Sequence, residues 1–162
     1  TWAIAPFAAF LFIVLQGFFS VQYFFVGCSC GLFGTRLALF TRRARLARFV
    51  AASVSPPVVD ITSVGLWAGF VHDVQRDVAM REVHNATYLA FRDKLQELIA
   101  ALPRTAPVAQ LRREAIACNA VIDGLWLENS LASDLFDEGR LAHIALDAVE
   151  AMLGGLPLRN RA

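Results

Sequence analysis

Three histidines and 14 acidic residues are the groups with which this chain could catalyse a reaction or hold a metal. His72, His84 and His143 form no H-E-x-x-H pair and no ligand set with the carboxylates. No G-x-S-x-G, no phosphate-cradling glycine loop and no C-x-x-C is present. Most acids stand at helix starts or on polar faces, where capping or solvation explains them. Asp123 is the exception, because it interrupts an apolar helix. It is either a pocket residue or the partner of a neighbouring donor, and the second reading is favoured because buried acids are usually paired. No catalytic residue, metal or cofactor is expected, and the chain reads as a non-enzyme.

The aromatic residues carry more information. Trp67 and Phe70 lie one helical turn apart, as do Tyr88 and Phe91, and Trp126 stands in a third apolar stretch. Three helices each presenting large rings could enclose a small apolar or cationic ligand, because an aromatic wall attracts a cation. Filling the core is the plainer use of such rings, and by pattern alone the more frequent one.

Composition divides the chain. Residues 1–35 carry no charge, and all 14 acids lie at Asp60 or beyond. Arg36, Arg42, Arg43, Arg45 and Arg48 form a basic run with no acid among them. Between Asp60 and Leu158 acids outnumber bases, so that region makes a poor nucleic-acid surface. Cys28, Cys30 and Cys118 lack disulfide or zinc spacing and read as small apolar residues in a reducing cytosol. The apolar stretch over 3–26 exceeds the roughly 20 residues that a bilayer-crossing helix needs, and the arginines behind it would face the cytoplasm. It is therefore either such a helix or sequence from a shifted reading frame. A membrane-anchored interaction protein is the alternative reading of the whole chain.

The elements that must position these residues are all helices. Arg36 to Ser55 is helix-like and ends at the Ser55-Pro56-Pro57 breaker. Asp60 or Thr62 is placed to cap a helix running through Trp67 to about Gln75. Asp77 is placed to cap the next, which reaches about Leu102 before Pro103. Pro107 opens a third, to about Ala132, and Leu111, Ala115, Cys118, Ile122, Leu125 and Asn129 share one of its faces. Val108, Ile116, Val121 and Leu127 make its other side apolar too. Such a helix is buried twice, inside a core or between a core and a partner. Asp134 or Asp137 starts the last helix, and Gly154-Gly155 closes it.

Ile122-Asp123-Gly124-Leu125-Trp126-Leu127, followed by Ser130-Leu131 and Phe136-Asp137, resembles the C-terminal signature of BetI-type regulators of the TetR family. Leu66-Trp67-Ala68-Gly69-Phe70 is similar to the Trp-containing segment of those regulators, with Val71 where a second Trp stands. The resemblance covers roughly residues 45–153. It implies an all-α fold, a TetR-type C-terminal antiparallel helix bundle, in a repressor that senses a small molecule, dimerises through its last two long helices and binds operator DNA through an N-terminal helix-turn-helix. Effector contacts are then expected at Trp67, Phe70, Tyr88, Phe91, Asn119, Ile122 and Trp126, and a choline-like cation is the effector suggested. Homodimer contacts are expected at Leu125, Leu141, Ile144, Ala148 and Met152.

Phe33-Gly34-Thr35-Arg36 is similar to the end of the family's DNA-binding domain, with Leu32 at a tyrosine position and Arg36 at the place of a phosphate-contacting lysine. Thr35 and Arg36 are the remnant of a phosphate contact on this reading. No helix-turn-helix precedes them, which counts against operator DNA as a partner of this chain. The expected organisation is an atypical apolar segment at 1–34, a remnant of the DNA-binding domain and connecting helix at 35–45, an effector-binding and dimerisation domain at 46–154, and a tail at 155–162, in a cytoplasmic protein.

Overall fold

A computed structural model describes residues 34–56, 58–59, 72–131, 136–137 and 139–159, with side chains from residue 41 onward. Four helices make the described fold: α1 (Gly34–Ser53), α2 (Val78–Ala100), α3 (Val108–Leu131) and α4 (Arg140–Met152). A further helical turn at 72–76 precedes α2, and no strand occurs among the described residues. The expected all-α class is thus observed. The candidate anchor at 3–26 lies outside the described residues, and among those described no helix is long and apolar enough to cross a membrane.

The helix ends follow from local chemistry. The Asp77 side chain accepts from the amides of Ala79 (2.8 Å) and Met80 (3.4 Å), which fixes the start of α2. At the end of α1, the Ser53 and Ser55 hydroxyls turn back onto the carbonyls of Phe49 and Ala51. The amide of Gly155 reaches the Glu150 carbonyl at 2.8 Å and that of Gly154 reaches Ala151 at 3.1 Å. Both glycines have positive φ, 77° and 76°, so α4 closes in the 6→1, 5→2 pattern that glycine admits cheaply. The start of α4 differs from expectation. It begins at Arg140 behind Gly139, whose φ is 79° and which offers no side-chain cap. Asp137 contributes its backbone carbonyl to the Arg140 amide instead.

α3 packs against α2 and α4, and α1 packs against the same two helices. Leu46, Val50, Leu95, Ile99, Cys118 and Val149 are fully buried at the centre. Burial pushes the Cys118 thiol up to about 12, so it behaves as an apolar, unreactive group. Polar clamps tie the helices at their edges. Arg104 holds Glu114 with both terminal nitrogens, and Arg112 meets Asp93 at 2.6 Å. Glu150, 3% exposed, accepts from the amides of Leu158 and Arg159 and so pins the chain after α4.

Among the described residues only one of the two apolar sides of α3 is covered. Ala115, Cys118, Asn119, Ile122 and Trp126 are buried. Of the other side, Val108, Ile116 and Leu127 are exposed and Val121 is half-buried, and Leu131 at the helix end is exposed as well.

Candidate functional site

α2 and α3 enclose a polar cluster, apart from the Asp93–Arg112 clamp between the same helices. Helical spacing places His84, Tyr88 and Arg92 on one face of α2, and Asn119 and Asp123 one turn apart on α3. The Tyr88 hydroxyl donates to Asp123 Oδ2 at 2.9 Å. Asn119 Nδ2 donates to the Tyr88 oxygen at 2.6 Å and to the same Asp123 oxygen at 2.7 Å. These three bonds close a ring between the helices. Two planar groups, an imidazole and a guanidinium, complete the cluster. The His84 imidazole stacks on Tyr88 with centroids 5.0 Å apart, and the Arg92 guanidinium carbon lies 4.6 Å from the Tyr88 centroid.

Burial governs the ionisation of the cluster. It raises the Asp123 carboxyl above the ordinary carboxylate range, and the bonds from Tyr88 and Asn119 only partly offset it. It raises the Tyr88 phenol and lowers the His84 imidazole, the latter against the pull of the Asp123 charge. Asn119 is 1% exposed, and its Oδ1 has no hydrogen-bond partner. Unpaired polar atoms at such depth are uncommon, because each forfeits its solvation.

The seven expected effector contacts fall into three groups. Tyr88 and Asn119 are hydrogen-bonded to each other. Phe91, Ile122 and Trp126 pack into the core beside them: Phe91 meets Phe49 with centroids 5.1 Å apart, and Trp126 Nε1 donates to the Val58 carbonyl at 3.1 Å. Trp67 and Phe70 lie outside the described residues. Asp123 does accept neighbouring donors, as its pairing rationale required, and does so at the centre of the cluster. His84 and Arg92 are the members that sequence reasoning missed. The signal was their placement four residues either side of Tyr88.

Of the expected dimer contacts, Leu141 is buried within the chain at 8% exposed, and Leu125 packs half-buried against the core. Ile144, Ala148 and Met152 are half-buried on α4. Thr35 and Arg36 stand in the first turn of α1, where the backbone alone is described. Among the described residues no group of three or more His, Cys, Asp or Glu could hold a metal ion.

The family described as BetI-type transcriptional repressor, C-terminal, matches residues 42–154. A protein of Paraburkholderia phymatum named HTH-type transcriptional regulator BetI is 31% identical over 111 residues, which are 68% of this chain and 55% of that protein. Proteins of the same name from Burkholderia thailandensis and Burkholderia pseudomallei are each 28% identical over the same shares. The chain therefore spans about half the length of the curated relatives it matches. No solved structure matches.

Proposed function

The chain belongs to the BetI-type transcriptional repressor family through its C-terminal domain, and from that premise we propose that residues 46–154 sense a small-molecule effector and dimerise. The family is one of transcriptional regulators, not of enzymes. The effector site on this reading is the α2–α3 cluster around Tyr88. One observation carries the assignment: a hydrogen-bonded ring of Tyr88, Asn119 and Asp123 stands where aliphatic side chains would pack. Burying polar groups contributes little net stability, so a role in binding is the economical reason for keeping them.

The second copy docks on the uncovered side of α3. Ile116, Leu127 and Leu131 are exposed there, with the small residues Ala120 and Gly124 between them. Ile144 and Ala148 of α4, both half-buried, would complete that face, whereas Leu125, Leu141 and Met152 pack on the chain's own core. α1 runs without a break across position 45, so a displacement at its sensor end reaches the remnant at 35–45. Effector binding would thereby bias the arrangement of the two remnants in a cytoplasmic dimer.

The test is a thermal-shift screen of small metabolites, repeated on Tyr88→Phe. A ligand that stabilises the parent and loses most of its effect on Tyr88→Phe supports the site. A ligand that binds both proteins equally contradicts it.

A further inference from the structure

Arg92 lies over the Tyr88 ring and Asp123 accepts from its hydroxyl, so the two opposite charges meet around one phenol and feel each other without a direct ion pair. Every ion pair among the described residues involves other groups. Arg92 is half-buried, and its Nε is buried without an acceptor. Asp123 is half-buried, and both of its hydrogen bonds enter through Oδ2. Asn119 Oδ1 adds a buried acceptor with no donor. One arginine donor, Arg92 Nε, and one amide acceptor, Asn119 Oδ1, are thus buried without a partner, beside a carboxylate oxygen, Asp123 Oδ1, that takes no hydrogen bond.

From this juxtaposition we infer that the effector is a small zwitterion bearing N–H donors, an amino carboxylate. Its ammonium group meets Asp123 and Asn119 Oδ1, and its carboxylate meets Arg92. A bare cation would satisfy the acceptors but add a second positive charge beside Arg92. A bare anion would do the reverse beside Asp123. A fully alkylated ammonium has no N–H to offer Asn119. The inference rests on the effector-site reading above and specifies the chemistry of that site.

Calorimetric titration of the whole chain tests it with matched probes. These are the ω-amino carboxylates with one to three methylenes, the n-alkylamines and n-alkyl carboxylates of the same lengths, the N-trimethylated zwitterions, and choline. Asp123→Asn and Arg92→Gln are titrated alongside, after circular dichroism shows that they have the parent's helix content and melt cooperatively. One amino carboxylate is expected to bind at least about tenfold tighter than its amine and its carboxylate counterparts, since each end adds a charge-assisted hydrogen bond. N-trimethylation costs about tenfold, and each substitution removes the advantage gained at its own end. An amine or choline that binds as tightly as the zwitterion, and is weakened by Asp123→Asn alone, overturns the zwitterion and leaves the effector site standing. Binding that neither substitution alters, or no binding by any probe, overturns both. The comparison among probes on the unaltered chain decides the matter even where a variant does not fold.

Discussion

Replacing Asp123 by Asn should stabilise the fold at neutral pH while weakening the site. The carboxylate accepts two hydrogen bonds at Oδ2, and an amide oxygen can accept the same two. Neutralising the acceptor gives up about 1 kcal/mol per bond, the difference between charge-assisted and ordinary pairs. It also removes the cost of holding a charge in a poorly solvated place, which in proteins amounts to several kcal/mol for a buried ion. Burial outweighs the hydrogen bonds in setting the direction of the Asp123 shift, which is upward. The net gain is therefore on the order of 1 kcal/mol, or about 2–4 °C in Tm for a chain of this size. The sign with pH follows. A carboxyl whose pKa is raised on folding disfavours the fold once pH exceeds its unfolded value, and the full penalty is reached above the folded value. The advantage of Asp123→Asn should be present at pH 7 and vanish below the ordinary carboxylate range, where the parent's acid is also neutral. Urea unfolding of both proteins from pH 3 to pH 7 measures this. A variant less stable than the parent at pH 7 by more than about 1 kcal/mol would show Asp123 to be a structural carboxylate and refute the reasoning.

Three further outcomes are expected. At Glu150 burial alone would raise the carboxyl, but the donors of Arg159 and the Leu158 amide outweigh it and hold it down at about 2. Its contribution is complete above the ordinary value of 4.5 and is lost as pH falls through about 2, so Glu150→Gln should cost about 1–2 kcal/mol at pH 7 and little at pH 2, read by urea unfolding at both. Trp126→Ala should cost about 3–5 kcal/mol by leaving a core cavity and an unpaired Val58 carbonyl, visible as a fall in urea midpoint. Ile116→Glu together with Leu127→Glu should convert a dimer to a monomer in light scattering with little change in helix content, since both side chains are exposed on α3.

Much of this was legible in the residues because helices are local. Asp77, the Gly154-Gly155 pair and the 4-3-4 spacing of Leu111, Ala115, Cys118 and Ile122 each act within a few positions, and they fix where α2 starts, where α4 ends and which side of α3 is covered. The start of α4 escaped because Asp134 and Asp137 both have capping side chains, whereas the turn uses Gly139 at positive φ. The cluster was half legible. Tyr88 and Asn119 were named for their chemistry, but their meeting depends on the register of α2 against α3, separated by the turn at Pro103, and no local pattern encodes that register. The same limit hid Arg92 and His84, which as isolated letters look like solvated surface. It also turned Trp126, an obvious ring, toward Val58 and the core.

The central claim, that the α2–α3 cluster is where this chain senses its effector, is tested most directly by amide chemical-shift mapping during titration with the tightest-binding of the calorimetric probes. The account predicts that the largest shifts fall on residues 84–92 of α2 and 119–123 of α3. Shifts confined to α1 and α4, or none at saturating ligand, would contradict it.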